Sequence, residues 1–206
     1  GLENRFPLCV PQTMEYNFTN EGGIDYRFRF LKNIMGLWVI QEVSRNLENK
    51  YSFAKLVDLA RVKANFTSIV DVNDDRFLKP ENMIKEIKDY CFETDQKVPG
   101  DVGEIAMCVY NSLAHCYKNA VENIEEIFEK KFKRINIFGG GCQNNFLNEL
   151  VARVTGKEVL AGPVEATAIG NIVAQLLSYN IFKDLGEARG AIKESFHIVT
   201  FKPGQV

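Results

Sequence analysis

The chain has 206 residues, 46% of them hydrophobic and 25% charged, with a formal net charge of −2. These values describe a soluble globular protein with one large core or two small ones. They leave no basic footprint for nucleic acid, and no apolar run resembles a membrane span or a signal peptide, so neither nucleic acid nor membrane is an expected partner.

The opening GLENRFPLC has no capping or strand-initiating logic and reads as the continuation of something upstream. Thr13 to Thr19 is expected to be a strand, and Asn20-Glu21-Gly22-Gly23 a turn. Ile24, Tyr26, Phe28 and Phe30 then alternate with Asp25, Arg27 and Arg29, the period of a half-buried strand, so the two strands should form a hairpin. From Lys32 the period changes. Ile34, Leu37, Trp38, Ile40 and Gln41 fit one side of a helix running to about Asn46, with Asn33 at its mouth. Asn33 reads either as an N-cap or as a ligand-facing residue. Gln41 lies eight residues on, roughly 12 Å along a helix, so the two can share a face; the other reading of Gln41 is a solvated surface residue.

Ser52 should cap a helix to Lys63 with Phe53, Leu56, Val57 and Ala60 apolar. In the acidic stretch Ile69 to Leu78, Asp71, Asp74 and Asp75 read as Asx turns rather than as a cation or sugar site. Pro80 should then start a helix to Phe92. After a linker at Gln96 to Asp101, the longest helix is expected from Val102 to about Phe132, burying Ile105, Val109, Leu113, Cys116, Ala120, Ile124 and Ile127.

That helix feeds the most informative stretch, RINIFGGGCQNNFLNELVARVTG (Arg134 to Gly156). Ile135, Ile137 and Phe138 read as a buried strand, and Gly139, Gly140 and Gly141 as a turn free of side chains. Phe146, Leu147, Leu150, Val151 and Val154 recur at helical spacing up to Gly156, a C-cap residue. Such a turn lets a ligand lie against the backbone and offers helix N–H groups to an anion; the plainer reading is a tight connecting turn. It is neither a dinucleotide fingerprint, since Asn144 occupies the third glycine position, nor a P-loop, since no Gly-Lys-Ser/Thr occurs. Lys157 to Ala161 is the next expected strand, broken by Gly162-Pro163. A helix opened by Glu165-Ala166-Thr167 should turn Ile169, Val173, Leu176 and Leu177 inward, with Gly170 allowing close approach. Asp184 to Ser195 reads as a short polar helix, and the tail from His197 as extended, ending in turn residues. This alternation marks an α/β layer fold.

Five widely spaced cysteines without a C-x-x-C pair, and two distant histidines (His115 and His197), make a zinc or imidazole-ligated metal site unexpected. A reducing cytoplasm is the simplest setting. The sequons at Asn17 and Asn65 read as accidental there.

The stretches RFRFLKNIMGLWVIQE (Arg27 to Glu42), VNDDRFLKPENM (Val72 to Met83), INIFGGGCQNNFLN (Ile135 to Asn148) and GPVEATAIGNI (Gly162 to Ile172) together resemble the FGGY carbohydrate kinases, and within them the kinases of L-rhamnulose. The resemblance covers nearly the whole chain, in order. It implies an actin-like, ribonuclease H-like α/β domain, with a mixed sheet flanked by helices and a helical insertion. Residues 1–206 would be the C-terminal, nucleotide-binding domain, lacking its first strand (Ser-Gly-Thr-Trp in the family) and the N-terminal sugar-binding domain, its implied partner. The implied cofactors are ATP and Mg2+. The implied substrate is a ketose, L-rhamnulose, with L-fuculose or another sugar as the alternative. Gly140 matches the family glycine packed under the nucleotide, with Gly141 beside it. Asn144 matches a position near the adenosine, Gln41 a nucleotide-contacting position, and Asn33 one that reaches the ketose. The family's catalytic aspartate and first phosphate loop belong to the segment before this one. No catalytic residue is therefore expected here, and the chain alone should not transfer phosphate at a useful rate. Cys91 and Cys108 sit where such kinases also carry cysteines, which leaves a disulfide open against the reduced state of a cytoplasm. The second reading is a non-catalytic nucleotide-binding or regulatory module. An NAD-dependent oxidoreductase is disfavoured by Asn144 and by Ala161-Gly162 at the strand end where an acidic residue should stand.

Overall fold

The computed structural model describes residues 1–204. The chain forms two compact units, one of Gly1–Lys32 with the chain from Asn123 onward, the other of Asn33–Glu122.

The first unit holds two three-stranded sheets. In one, β1 (Leu2–Asn4), β2 (Thr19–Gly22) and β3 (Phe28–Leu31) are antiparallel in the order β1-β3-β2, with Leu2 and Asn20 both opposite Phe30. The expected strand at Thr13–Thr19 is instead a helix, α1 (Pro11–Glu15). Pro11 suits a first helical turn, and the Thr13 hydroxyl accepts from the Val10 N–H at 3.3 Å. The expected turn at Asn20–Gly23 is mostly strand β2. Asn20 is fixed there because its carboxamide pairs both ways with the Leu8 backbone, at 2.9 and 3.0 Å. The reversal falls at Ile24–Tyr26, where Asp25 and Tyr26 take φ of 57° and 53° and the Gly23 N–H reaches the Arg27 carbonyl at 2.7 Å. The hairpin is therefore real but shifted toward the C-terminus. Its core is aromatic, with Phe18 stacked on Phe30 at 4.8 Å and Phe128 edge-on to Phe30 at 5.3 Å.

The other sheet is mixed, as expected. β4 (Arg134–Ile137) and β5 (Glu158–Ala161) are parallel, and β6 (Val199–Phe201) adds antiparallel to β5. The crossover is α6 (Asn145–Thr155), closed by Gly156 in the left-handed conformation. α7 (Ala166–Ser178) and α8 (Leu185–Ser195) connect β5 to β6, α8 being capped by Asp184, which accepts from the Glu187 N–H. Ile169, Val173, Leu176 and Leu177 form the half-buried side of α7, as expected, although no residue of the helix is fully buried. One expectation for α7 is corrected: nothing lies within 4 Å of a Cβ built at Gly170, so that glycine serves no close approach here. The turn expected at the end of the tail lies partly outside the described residues.

Among the described residues the second unit is helical throughout, the expected insertion. It contains α2 (Trp38–Asn46), α3 (Phe53–Val62), α4 (Met83–Glu93) and most of α5 (Val102–Ile127). Ser52 caps α3 as expected, its hydroxyl accepting from the Lys55 N–H at 3.2 Å. α4 starts at Met83 rather than Pro80, because Asn82 is the cap and the Met83 N–H is taken by Asn46 at 2.7 Å. α5 stops five residues early: Glu129 takes φ 48°, and the Glu125 carboxylate accepts the Phe132 N–H at 2.8 Å. Leu56, Phe77, Met83, Ile87, Val109 and Leu113 are fully buried in this unit.

Candidate functional site

The apolar run of β4 ends at Phe138, which is exposed, and the backbone turns at Gly139, whose φ of 74° favours glycine. One 3-10 turn follows over Gly140–Gln143, and Asn144 opens α6. Gly140 is the informative residue. It is exposed, and a Cβ built on it would meet nothing within 4 Å, so packing within the protein does not require a glycine there. The space above it is open, and a side chain would occupy it.

Each flank of this turn is fixed. The Asn144 Oδ1 accepts from the Leu147 N–H at 3.0 Å, a side-chain N-cap that commits the oxygen of its amide. Asn148, fully buried on the first turns of α6, donates from Nδ2 to the Cys142 carbonyl at 2.9 Å. Cys142 is buried in the turn, and burial pushes its thiol above the usual range, so it is neutral there. The neighbouring loop after β5 is tied in by Gly139 N–H to the Pro163 carbonyl at 3.2 Å and Gly162 N–H to the Ile137 carbonyl at 2.9 Å. The opposite end of β4 and β5 is pinned by Glu125, nearly fully buried, whose carboxylate accepts from Lys157 at 2.5 Å and Lys131 at 2.8 Å. Burial alone would raise that carboxyl, but the two ammonium groups and the Phe132 N–H outweigh it and hold it at about 2.

Gly140, Gly141 and Asn144 thus lie together in one turn of the first unit. Asn33 and Gln41 belong to the second unit. Gln41 is exposed on α2, as a contact residue would be. Asn33 does not cap that helix and does not share its face: α2 begins at Trp38 without a side-chain cap, because Gly36 at φ 63° interrupts the backbone first. Asn33 is an exposed residue of the extended segment ahead of α2. That segment is held by Asn73, whose Oδ1 accepts the Met35 N–H at 3.2 Å. The acidic stretch does what local chemistry suggests: Asp71 accepts from the Asn73 N–H and Asp74 from the Arg76 N–H, both at 3.0 Å. Among the described residues no group of three His, Cys, Asp or Glu could hold a metal ion. His115 is half-buried, its imidazole pushed below the ordinary range by burial and by nearby Lys118. Cys91 and Cys108 are buried free thiols joined by a hydrogen bond, which with burial drives the Cys108 thiol upward.

Sequence reasoning missed Asn148 and Glu125. Asn148 carried a weak signal, a polar residue directly after the apolar Phe146-Leu147 pair and before Leu150. Glu125 carried none, because its two lysine partners are six and 32 residues away.

The overall fold is shared with solved sugar kinases. The fold matches gluconate kinase from Lactobacillus acidophilus at a TM-score of 0.69 and 11% identity, covering 98% of this chain and 40% of that one. It matches Plasmodium falciparum glycerol kinase, solved with ADP, at a TM-score of 0.64 and 12% identity, covering 91% and 38%. The expected actin-like fold is therefore observed. Residues 4–179 match the FGGY family of carbohydrate kinases, C-terminal domain, and the chain belongs to that family. It is similar to the rhamnulokinase of Halalkalibacterium halodurans, 59% identical over 198 residues, and to that of Bacillus subtilis, 46% identical over 206 residues. These matches cover 96% and 100% of this chain but 42% of each relative, so the chain spans about two-fifths of their length.

Proposed function

We propose that this chain is the nucleotide-binding C-terminal domain of an ATP-dependent carbohydrate kinase that converts L-rhamnulose to L-rhamnulose 1-phosphate in the cytoplasm. The observation that carries the nucleotide part is the open space over Gly140, at a turn whose flanks are all fixed. The sugar is supported by relatives named rhamnulokinase at 59% and 46% identity. ATP fits the turn: Gly140 and Gly141 present bare backbone to it, and the N-terminus of α6 favours negative charge. With its oxygen engaged in the cap, Asn144 has its Nδ2 to offer the nucleoside. Gln41 is a further nucleotide contact, and Asn33 meets the ketose.

ATP supplies the phosphoryl group, and transfer of this kind rests on positioning and charge stabilisation rather than on covalent chemistry by the protein. This chain's residues bind and orient. The base that takes the proton from the sugar hydroxyl is an aspartate of the N-terminal domain, the partner that completes the site. The described residues offer no cluster of three His, Cys, Asp or Glu side chains that would hold Mg2+.

The test is coupled ADP release by the complete kinase with MgATP and a panel of L-rhamnulose, L-fuculose, L-ribulose, D-xylulose and glycerol. Strong preference for L-rhamnulose supports the reading. Preference for another sugar corrects the substrate alone. A folded protein that binds ATP and releases no ADP with any of them favours a binding module.

A further inference from the structure

Asn148 is fully buried, yet half of its amide is unused. Its Nδ2 donates to the Cys142 carbonyl at 2.9 Å, while its Oδ1 accepts no hydrogen bond from any described group of the protein. A buried acceptor left without a partner costs at least as much as one neutral hydrogen bond returns. Asn148 is therefore a poor device for stability. A leucine has the same branching without the orphan oxygen, though its two methyl groups are bulkier. What the asparagine does provide is a fixed donor aimed at one carbonyl of the glycine turn.

That carbonyl is well placed to matter. The Cys142 carbonyl and the Gln143 N–H share one rigid peptide plane, so holding the first fixes the direction of the second. The plane closes the 3-10 turn that begins at Gly140 and stands immediately before the Asn144 cap. Glycines on the other side of the turn have no side chains to limit their φ and ψ. One anchor at Cys142 and another at Asn144 hold the bare backbone between Gly139 and α6 in a single shape.

We propose that Asn148 is the positioning residue of the nucleotide turn, holding the Gly140–Gln143 backbone in its ATP-binding shape through the Cys142 carbonyl. This rests on the reading of that turn as the nucleotide site. The test is MgATP affinity by titration calorimetry, together with thermal melting, for the complete kinase and three variants. Asn148→Leu removes the donor and keeps the branching; Asn148→Ala removes the donor and leaves a cavity. Both should raise the Kd for MgATP about tenfold, the effect of one lost buried hydrogen bond on a pre-organised site. Their melting temperatures should diverge, with Ala, which leaves a cavity, below Leu, which fills the site. A Kd that follows the melting temperature, harmed by Ala and untouched by Leu, overturns the inference. Gly140→Val runs alongside. If it abolishes binding while both Asn148 variants bind as the wild type does, only the role of Asn148 is wrong. If Gly140→Val also binds normally, or the wild-type kinase binds no MgATP, the nucleotide reading itself falls and this inference with it.

Discussion

Replacing Glu125 by Gln keeps the shape of a nearly fully buried side chain and removes its charge. In the wild type the carboxylate accepts from Lys157 at 2.5 Å, Lys131 at 2.8 Å and the Phe132 N–H at 2.8 Å. Lys157 is itself largely buried and also donates to the Phe132 carbonyl at 2.8 Å, so the cluster joins the end of α5 to the start of β5. Lys131 is exposed, yet its hydrogen bond lowers the carboxyl as that of Lys157 does. The carboxyl is held at about 2 against an ordinary 4.5. At 1.36 kcal/mol per pH unit that difference is about 3 kcal/mol of stability in the charged form. The sign is that of a depressed carboxyl: the contribution is complete above about pH 4.5 and is lost as pH falls through about 2. Glu125→Gln should therefore lower the unfolding free energy by about 3 kcal/mol near neutral pH, partly through leaving Lys157 buried beside a neutral partner. The gap between variant and wild type should shrink to less than half by about pH 3. Urea denaturation followed by circular dichroism at the two pH values reads both quantities. A gap below about 1 kcal/mol at neutral pH, or one that does not change with pH, refutes the buried pair as an anchor of β5.

Asn144→Ala should cost about 1 kcal/mol, the value of an N-cap, whereas Asn144→Asp keeps an acceptor for the Leu147 N–H and should melt close to the wild type. Both lose the Nδ2 donor, so both should weaken MgATP binding; wild-type affinity in Asn144→Asp would remove that residue from the nucleotide contacts. The buried thiols of Cys91 and Cys108 should resist a thiol reagent that labels exposed Cys9 at once, and should react only on unfolding. Mass spectrometry after timed labelling decides this, and equal rates for the three would contradict the packing of α4 on α5.

The strand–turn–helix from Arg134 to Gly156 was legible because each signal is local: an apolar run, three glycines, a helical stripe and a terminal glycine, although β4 is half-buried rather than buried and Phe138 is exposed. Ser52 and the Asx turns of Asp71 and Asp74 were legible for the same reason. The hairpin was legible in kind but not in register. Alternation from Ile24 to Phe30 suggested one strand, yet Tyr26 is almost fully exposed and only Phe30 of that set is fully buried. What moved the turn was the pairing of Asn20 with Leu8, a contact twelve residues apart that no period reveals. Asn33 was misplaced because Gly36, read as one more helical residue, takes a positive φ and delays the helix. Glu125 and Asn148 act through partners that only the folded chain brings close. Asn148 supports the turn rather than lining it, and Glu125 ties the end of α5 to the start of β5, so reading for ligand contacts passed over both.

The most direct test of the nucleotide site is MgATP binding by Gly140→Val. The φ of Gly140 lies outside the left-handed region and no protein atom stands within 4 Å of the new Cβ, so valine should be accommodated without strain and the melting temperature should hold. The branched side chain would fill the space assigned to the nucleotide, and affinity should fall by at least about tenfold, 1.4 kcal/mol or more. Wild-type MgATP affinity in a folded Gly140→Val protein would contradict the assignment of this turn to ATP.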